Sequence, residues 1–587
     1  MTRIHGEIDR FVEDALDGLV LAHQGELQRV DGGVIRRHPL APGQVAVVIG
    51  GGSGHYPSFA GLVGLGLAAG AVCGNIFTSP SAGQAFRVAQ AVETGGGVLF
   101  SYGNYAGDVI HFGEAERRLR ENGVDARTVL VTDDVASAPQ SEAQRRRGIA
   151  GDLVVFRIAG AAAERGDSLD EVERLARIAN DRTRTLGVAF SGCTLPGGGE
   201  PLFTVPEGMM SVGLGIHGEP GIRDVPLQSA PQLARTLLEP LLEERPVAAG
   251  SRVAVIVNGL GTVKYEELFV LFRYVAQELD AAGLEIVEPE CGELVTSLDM
   301  AGVSLTLCWL DAELEELWHA PAYTPAYRKG AMAVGPDVRP LVTPSSLEEP
   351  PAPNGSRSVS EGSADAAAHA LRLLAAARSE IEDQVEELGR LDAVAGDGDH
   401  GIGMLRGLTA ASDAAQAAGA RAGLATVLEE AGEAWSERAG GTSGALWGAA
   451  LRSLGASFGD ADAYGENDLV AALVAARDRI VELGGARVGD KTMVDAIVPF
   501  SDTFADAVAR GVPVPAALRS AADAASSAAE ATASLSPKLG RARPLAERSV
   551  GHPDPGAISF AIIVRAVAAE THAASSTVRA RGEAGIV

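Results

Sequence analysis

The chain has 587 residues, of which 46% are hydrophobic and 21% are charged, and its formal net charge is −28. A chain of this length and composition is expected to fold around more than one hydrophobic core. The negative charge argues against nucleic acid or an anionic membrane as a partner, although a bound Mg²⁺ would still attract a phosphate substrate. The four cysteines are widely spaced and form no C-x-x-C pair, which predicts reduced thiols in a cytoplasmic protein.

The N-terminal residues are polar, so we expect no signal peptide. Residues 56–86 carry no charge and are long enough to span a membrane. Glycine dilutes the apolar residues of this run, and polar clusters follow them. We therefore predict a buried glycine-rich loop and helix here, and no membrane segment.

The first part of the chain alternates β-rich runs with helical patterns. Buried strands are predicted at residues 45–49, 97–101, 128–132 and 153–156, and helices at residues 115–122 and 168–185. A second set begins near Gly187, with strands at residues 252–257 and 303–308. This alternation predicts two α/β subdomains within residues 1–342, with parallel sheets and crossover helices.

Residues 343–363 are rich in proline, serine, glycine and charge, which predicts a linker. The remaining part, residues 364–587, is rich in alanine at helical spacing and has few strand signals, so we predict an all-α domain. Its predicted helices are residues 364–388, 410–435, 443–455, 466–483, 493–510, 515–535 and 557–574.

Three carboxylates, Asp392, Asp397 and Asp399, lie between the first two of these helices. They would repel one another, and a hard divalent cation with oxygen ligands relieves that repulsion. The glycines among them allow the backbone to bend so that all three side chains face one point. The loop therefore predicts a site for Mg²⁺ and for the phosphates of a nucleotide.

An EF-hand is excluded, because the twelfth position would be Leu408 or Gly403 instead of glutamate. The alternative that stays open is a solvated turn in which an aspartate caps the following helix.

Other glycine-rich segments were weighed as ligand sites. Residues 50–55 form a strand end and turn whose N–H groups suit an anion or polar ligand, but the spacing is not that of a dinucleotide fingerprint. Residues 484–492 resemble a P-loop, yet an aspartate interrupts the motif. Residues 440–444 and 554–557 each begin a helix, where phosphate binding and simple capping are both plausible. Residues 213–221 place one histidine among four glycines, which suits the close approach of a substrate.

Taken together and in order, these motifs resemble the dihydroxyacetone kinase family in its single-chain, ATP-dependent form. The resemblance covers nearly the whole chain, on both sides of the predicted linker. Its marks are residues 50–57, 74–81, 104–108, 213–221, 392–401, 440–444, 489–495 and 547–557.

The resemblance implies a role for each matching residue of the first part. His217 would form a covalent hemiaminal with the substrate ketone, which selects ketones over polyols such as glycerol. His55 and Asp108 would hydrogen-bond the hydroxyl to be phosphorylated and accept its proton. The other implied substrate contacts are Gly52, Ser53, Gly54, Gly103 and Asn104.

The second part resembles the family's eight-helix barrel, which implies in-line phosphoryl transfer from ATP. Two Mg²⁺ ions would be held by Asp392, Asp397 and Asp399. The implied ATP contacts are His400, Gly401, Ile402, Thr442, Ser443, Gly484, Thr492, Met493, Asp554, Pro555 and Gly556. The resemblance also implies a homodimer.

Two departures from the family pattern affect these expectations. Gly103 stands where relatives that use dihydroxyacetone carry a lysine, which suggests room for a longer ketose such as erythrulose. Residues 540–547 also differ, in a loop near the nucleotide. Two other functions stay open, namely a lyase that splits FAD to cyclic FMN at the same nucleotide site, and a non-catalytic regulator.

Overall fold

The computed structural model describes residues 4–219, 221–247, 249–332, 359–396, 398–419, 422–460, 464–539 and 546–583. The chain divides into two compact units, Met1–Glu349 and Pro350–Val587. The predicted linker lies outside the described residues as far as residue 358, and its last three residues belong to a helix that begins at Glu361.

The first unit begins with helix α1 (Phe11–Ala22) and contains a six-stranded sheet in the order β1-β2-β4-β3-β5-β6. Its strands are β1 (Leu27–Val30), β2 (Gly33–Arg36), β3 (Ala46–Ser53), β4 (Gly70–Ile76), β5 (Val98–Gly103) and β6 (Ala126–Val131). Strands β3 to β6 pair in parallel, as predicted, whereas β1 and β2 pair in antiparallel fashion.

Both faces of this sheet are covered by helices, which explains why β3 has no polar side chain before Ser53. Val47 and Ile49 pack towards α4 (Asp152–Arg165) and α5 (Leu169–Asp181). Val48, on the opposite face, packs with α2 (Ala82–Val92) and α3 (Ala106–Glu121).

The predicted strand at residues 153–156 is wrong, because these residues lie in α4. Every residue of this helix from Asp152 to Ala163 is buried, so its sequence has no polar face. A short apolar run buried on all sides looks the same in either conformation. The predicted helix at residues 168–185 is also too long, since it ends at Asp181 and a strand follows.

The second sheet of this unit has the order β11-β10-β13-β7-β8-β9, and β12 also pairs with β10. Its strands are β7 (Thr183–Ala189), β8 (Met209–Val212), β9 (Arg223–Pro226), β10 (Arg252–Gly259), β11 (Glu285–Ile286), β12 (Glu290–Gly292) and β13 (Gly302–Trp309). Helices α6 (Ala230–Glu243), α7 (Tyr265–Ala281) and α8 (Ala312–His319) follow within this region, and β14 (Ala322–Tyr323) and β15 (Arg328–Lys329) form a small hairpin.

The prediction of a parallel sheet is wrong for this second sheet. Strand β13 pairs in antiparallel fashion with both β10 and β7, and β8 continues the pattern, so that only the short β11 and β12 run parallel to β10. The alternation of strand and helix patterns indicates which elements are present. It does not show the direction of each strand, which depends on how the connections cross the sheet.

The second unit is helical, as predicted, and it contains no strand among its described residues. Its helices are α9 (Glu361–Glu382), α10 (Val385–Asp392), α11 (His400–Ala418), α12 (Leu424–Ala439), α13 (Gly441–Phe458), α14 (Glu466–Gly484), α15 (Val494–Ala509), α16 (Val514–Ala531), α17 (Ala546–Ser549) and α18 (Pro555–Glu583). The single helix predicted at residues 410–435 is two helices, because Gly419 and Gly423 adopt φ values of 73° and 90° between them.

One helix in the described part of the chain, α18, is apolar and long enough over Pro555–Ala573 to cross a membrane by length and composition. Buried residues of this stretch, such as Phe560 and Ile563, lie among the helices of the second unit, where Phe560 contacts the rings of Trp447 and Phe500. This packing is that of a core helix in a globular domain.

Candidate active site

The predicted ketose residues lie at the ends of elements that come from both sheets of the first unit. His55 follows the carboxyl end of β3, and Asp108 lies in the first turn of α3, just after β5. His217 lies in the connection between β8 and β9 of the second sheet. Because β3 and β5 are adjacent and parallel, their carboxyl ends meet at one edge, where open α/β sheets bind ligands.

The structure brings His55 and His217 into direct contact. Their Nε2 atoms are 2.9 Å apart, and the two rings meet edge to face with centroids 4.6 Å apart. The rings of Phe77 and Tyr105 also border His217, at centroid distances of 5.3 and 4.7 Å. His217 is thus bordered by aromatic rings, and only 11% of its side chain is exposed.

His55 is buried, and its Nδ1 lies 2.8 Å from the carbonyl oxygen of Thr296. Burial, together with the charge on His217, lowers the pKa of His55 to about 3. A neutral imidazole at this position is able to accept a proton from a hydroxyl group.

Glu219 holds the other side of His217. Its carboxylate accepts hydrogen bonds from the backbone N–H of His217 at 2.9 Å and from the Nδ1 atom at 3.2 Å. Burial would raise the pKa of Glu219, but the Arg147 guanidinium and His217 outweigh burial and hold that pKa well below its usual range. Arg147 is itself fixed by two hydrogen bonds to Asp134.

The four glycines around His217 are each packed against protein on the side where a Cβ atom would lie. A Cβ atom at Gly215 would lie 2.2 Å from the Glu219 carboxylate and 2.7 Å from Arg147. At Gly213, Gly218 and Gly221 it would meet Ala136, the Phe203 ring and the Val212 backbone. These glycines allow the protein to pack closely around the histidine.

The glycine-rich turn after β3 is also packed on its Cβ side. A Cβ at Gly52 would lie 2.6 Å from the backbone nitrogen of Thr78, and at Gly54 it would meet the Phe77 ring. The Ser53 hydroxyl donates a hydrogen bond to the carbonyl of Gly74 at 2.7 Å. Any contact of this turn with a ligand therefore has to come from its other side.

Asp108 is buried in the first turn of α3. Its Oδ2 accepts a hydrogen bond from the Ser79 hydroxyl at 2.9 Å. Ser79 thereby orients the carboxylate that the sequence predicts to bind the reacting hydroxyl.

The space beside Gly103 is not empty. This residue ends β5, and a Cβ there would lie 3.1 Å from the Tyr105 ring and 3.2 Å from the carbonyl oxygen of Gly148. The extra room expected from the missing side chain is therefore filled by Tyr105. The neighbouring Asn104 donates its amide hydrogens to the carbonyls of Gln144 and Arg146, so it ties down the following loop.

In the helical unit, the predicted metal ligands lie around the junction of α10 and α11. Asp392 ends α10, and its Oδ2 accepts a hydrogen bond from the Gly398 N–H at 2.9 Å. Asp399 immediately precedes α11, and Asp397 lies outside the described residues. Desolvation and the nearby Asp392 carboxylate raise the pKa of Asp399. The repulsion between these two carboxylates is the part of this shift that a bound cation would relieve.

The start of α18 lies beside these aspartates. His400 Nε2 is 2.9 Å from the Ser559 hydroxyl, and Asp554 caps α18 by accepting the Ala557 N–H at 2.7 Å. Desolvation, with smaller effects from the Asp495 and Asp392 carboxylates, raises the pKa of Asp554 to about 7. Such converging negative charge would be relieved by a divalent cation.

The turn before α15 lies next to the start of α18. Asp495 accepts the backbone N–H groups of Gly489 and Thr492, at 2.5 and 2.8 Å. Met493 precedes α15 and lies near Gly556 at the start of α18. Thr492, Met493, Asp554, Pro555 and Gly556 are therefore brought together, as the sequence predicts.

The remaining predicted ATP contacts lie at helix ends. Gly401 and Ile402 are in the first turn of α11, Thr442 and Ser443 are in the first turn of α13, and Gly484 ends α14. Helix N-termini present free N–H groups that suit phosphates.

The helical unit also fits a divalent cation. Within the described residues, which exclude Asp397, no three potential metal ligands form a cluster. Even so, the Asp392 carboxylate contributes to raising the pKa of both Asp399 and Asp554, while Lys491 acts on Asp554 as a positive charge. Hard oxygen donors in this arrangement match the preference of Mg²⁺.

Several residues of the site are absent from the sequence-based prediction. These are Ser79, Tyr105, Arg147, Glu219 and Thr296. Ser79 and Glu219 lie inside quoted motifs, so their proximity to Asp108 and His217 along the chain was a usable signal. Arg147 and Thr296 reach the site only through the tertiary fold, which spacing in the sequence does not reveal.

Comparison with known protein families gives one match in each unit. Residues 17–326 match the Dak1 domain, and residues 394–569 match the DAK2 domain.

Curated relatives match over almost the whole chain. The L-erythrulose kinase of Pectobacterium atrosepticum is 52% identical over 97% of this chain and 96% of its own length. The D-erythrulose kinase of Mycolicibacterium smegmatis is 53% identical over 97% of this chain and 98% of its own length. The human triokinase/FMN cyclase is 32% identical over 94% of this chain and 96% of its own length.

Among solved structures, the dihydroxyacetone kinase of C. freundii in complex with AMP-PNP and Mg²⁺ matches 97% of this chain and 99% of its own, with 30% identity and a TM-score of 0.52. The shared domains, the whole-length identity and this shared fold lead to one assignment. The chain belongs to the dihydroxyacetone kinase family, in the single-chain form that joins a Dak1 and a DAK2 domain, and it is an ATP-dependent ketose kinase.

Proposed function

We propose that the substrate is the four-carbon ketose erythrulose, and that the enzyme phosphorylates one of its terminal hydroxyl groups with ATP. The identity with two erythrulose kinases over nearly the whole chain supports this substrate. Those two relatives are named for opposite enantiomers and are almost equally similar to this chain, so the identity does not select an enantiomer.

We propose further that His217 holds the substrate covalently through its carbonyl carbon. The observation that carries this role is the environment of the imidazole. Its Nδ1 is hydrogen-bonded to Glu219, and its Nε2 faces His55. The rings of Phe77 and Tyr105 border the imidazole. An imidazole with one nitrogen anchored leaves the other as a nucleophile of fixed direction.

His55 and Asp108 then act on the hydroxyl to be phosphorylated. The low pKa of His55 leaves it neutral and able to accept a proton, and Ser79 fixes the direction of the Asp108 carboxylate. Their position after the carboxyl ends of the adjacent strands β3 and β5 supports a joint action on that hydroxyl.

For the nucleotide, we propose that Asp392, Asp397 and Asp399 hold two Mg²⁺ ions, and that the first turns of α11, α13 and α18 receive the phosphates. When bound, the metal would neutralise charge on the phosphates during transfer. The chain's own contribution is the set of helix N-termini and the capped turn that Asp495 closes.

The substrate is tested with a panel of D-erythrulose, L-erythrulose, dihydroxyacetone and glycerol, each with ATP and Mg²⁺. We expect one erythrulose enantiomer to give the highest kcat/KM and glycerol to give no turnover, because glycerol has no carbonyl for His217. A kcat/KM for dihydroxyacetone that equals or exceeds both erythrulose values would contradict the proposed substrate.

The covalent role is tested separately by soaking ketose into crystals of the wild-type chain and of His217→Ala. Continuous electron density between the ketose and His217 is expected in the wild type alone. Ketose bound without a bond to His217 would contradict the covalent role while leaving the kinase activity intact.

A second activity is favoured by the relative named triokinase/FMN cyclase. If the nucleotide site also splits FAD, the chain should release cyclic FMN from FAD without any ketose, and His217→Ala should retain this reaction. We propose no regulatory role without catalysis, because His217, His55 and Asp108 are all present. A cytoplasmic homodimer remains our proposal from the family resemblance, and light scattering of the purified chain would test the dimer.

A further inference from the structure

A chain of three polar contacts crosses the ketose site of the first unit. It runs from the carbonyl oxygen of Thr296 to His55 Nδ1 at 2.8 Å, from His55 Nε2 to His217 Nε2 at 2.9 Å, and from His217 Nδ1 to Glu219 Oε1 at 3.2 Å. All three distances are those of hydrogen bonds, so each contact requires one proton between its two atoms.

The two ends of this chain fix the tautomers of both imidazoles. A backbone carbonyl only accepts, so the proton at the Thr296 end is on His55 Nδ1. An ionised carboxylate also only accepts, so the proton at the Glu219 end is on His217 Nδ1. Two neutral imidazoles have no further N–H, and their Nε2 lone pairs would then face each other at 2.9 Å.

Glu219 is built to remain ionised in this position. Arg147 approaches its Oε2 at 3.7 Å, and the backbone N–H of His217 donates to the same oxygen. The absence of a side chain at Gly215 lets both charged groups fit behind the histidine. Only 12% of the Glu219 side chain is exposed, so water competes little with these partners.

We propose that Glu219 is a positioning residue for ketose capture, which fixes His217 as the Nδ1–H tautomer and balances one additional proton held between His55 and His217. The proposal deepens the proposed function, because it rests on covalent capture by His217. In this role Glu219 acts through the imidazole, which its carboxylate contacts at Nδ1.

The capture step balances with this one proton. The His217 Nε2 lone pair forms a bond to the carbonyl carbon, and the electron pair of the C=O π bond moves to the oxygen. As this lone pair is used, the proton held between the two Nε2 atoms passes to His55 Nε2, and it then moves from His55 to that oxygen and makes the hemiaminal hydroxyl. His217 becomes an imidazolium whose Nδ1–H still faces the Glu219 carboxylate, and the net charge of the site is unchanged. His55 is left neutral, with a free Nε2 lone pair for the next proton transfer.

Neutron diffraction from deuterium-exchanged crystals of the full, ligand-free chain tests the tautomers directly. We expect deuterons on the Nδ1 atoms of His55 and His217, and one more between the two Nε2 atoms. A His217 ring without a deuteron on Nδ1, or a deuteron on the Glu219 carboxyl group, would overturn the proposal. This measurement needs no ketose, so it is independent of whether covalent capture occurs.

Variants test the consequence for catalysis. Glu219→Gln places an amide N–H against Nδ1 and favours the tautomer with a proton on Nε2, so kcat/KM should fall by on the order of 10²-fold or more. Glu219→Asp keeps a carboxylate and should recover part of that loss, which a merely structural role would not predict. Glu207→Gln, the same change at an exposed position, should leave activity unaltered.

The outcomes separate the two proposals. If Glu219→Gln keeps wild-type kcat/KM and still binds ketose covalently in crystals, the positioning role is wrong. If the wild-type tautomers are as expected but no ketose forms a bond to His217, the covalent function fails and the tautomer assignment stands. If Glu219→Gln does not fold, the wild-type neutron map and Glu219→Asp decide.

Discussion

At the scale of single residues, His55 links the stability of the first unit to pH. The pKa of its buried imidazole is about 3 in the fold, whereas an unfolded chain titrates near the ordinary value of 6.5. Between these values the unfolded chain binds a proton that the folded chain does not bind. This stabilising contribution is therefore present above about pH 6.5 and is lost as the pH falls towards about 3.

We expect His55→Asn to lose less stability than the wild type when the pH is lowered from about 7 to about 4. The difference should be at most about 4 kcal/mol, since one pKa unit corresponds to about 1.4 kcal/mol. Urea unfolding at several pH values measures it, with His5→Asn at an exposed position as the control. Equal pH dependence in the wild type and in His55→Asn would exclude His55 as the source.

Gly103 sets a second prediction at this scale. A side chain there has to displace the Tyr105 ring, which borders His217. Gly103→Lys should therefore shift preference from erythrulose towards dihydroxyacetone by about 10- to 200-fold, the usual effect of one small substrate group. The overpacking should also cost about 1–3 kcal/mol of stability.

The ratio of kcat/KM for the two ketoses measures this shift. Gly103→Ala is the matched control, because its Cβ meets the same ring but adds no long cationic side chain. An unchanged ratio in Gly103→Lys would show that this position does not govern the length of the substrate.

The residue scale also shows how far the sequence predicts the site. The motif at residues 213–221 singles out His217 as a candidate site residue, because it places an imidazole among glycines. Spacing does not show what fills the place of a missing side chain, and at these glycines other parts of the protein fill the Cβ side. Arg147 lies 72 residues before Glu219 in the sequence, and only the tertiary fold brings the two side chains together.

At the scale of elements, one lysine holds the connection between α16 and α18 in place. Lys491 adopts a left-handed φ of 60°, and its Nζ donates to the carbonyls of Leu535 and Ser549 at 3.1 and 2.6 Å. These two carbonyls flank the segment that leads into α18. The proposed nucleotide site is next to this segment, because it includes Asp554, which caps that helix.

Lys491→Met removes both hydrogen bonds and keeps the apolar stem. We expect it to lower the stability of the helical unit by about 2–4 kcal/mol, because hydrogen bonds from charged groups are worth about 1.5–3 kcal/mol each. The KM for ATP should rise more than kcat falls. Lys538→Met is the control, since this exposed lysine contacts the same turn and should cost less than about 1 kcal/mol. Equal effects of the two variants would contradict the special role of Lys491.

Elements differ in how well their sequence predicts them. Most helices of the second unit are predicted closely, with two exceptions. The pattern at residues 364–388 covers α9 and part of α10, and the pattern at residues 410–435 covers parts of α11 and α12, which Gly419 and Gly423 separate. Helix α4 was mistaken for a strand because burial on every side removes the periodicity that distinguishes the two. Completely buried elements are therefore the ones that sequence patterns identify least well.

At the scale of the whole molecule, the chemistry is divided between two compact units. The first contains the histidine pair and Asp108, and the second contains the carboxylates and helix N-termini proposed for Mg²⁺ and ATP. The change from mixed β and α patterns to alanine-rich helices predicts this division from the sequence. Strand direction in the second sheet was not predictable in the same way, because it depends on chain connections and not on composition.

This division predicts that the two partial functions can be lost separately. His217→Ala should lose covalent ketose capture but bind AMP-PNP and Mg²⁺ as the wild type does. Asp399→Asn should weaken AMP-PNP binding in the presence of Mg²⁺, because one carboxylate charge of the proposed metal site is gone. It should still capture ketose, since each variant leaves the core of the other unit intact.

Calorimetric titration with AMP-PNP, with and without Mg²⁺, measures the nucleotide function, and ketose-soaked crystals measure capture. Phosphoryl transfer should be lost or strongly reduced in both variants, because it requires both sites. Asp413→Asn, at an exposed aspartate of α11 away from the α10–α11 junction, is the control for the charge change. If His217→Ala also abolished nucleotide binding, or Asp399→Asn also abolished ketose capture, the two functions would not be separable in this way. Such a result would mean that binding in one unit depends on an intact site in the other.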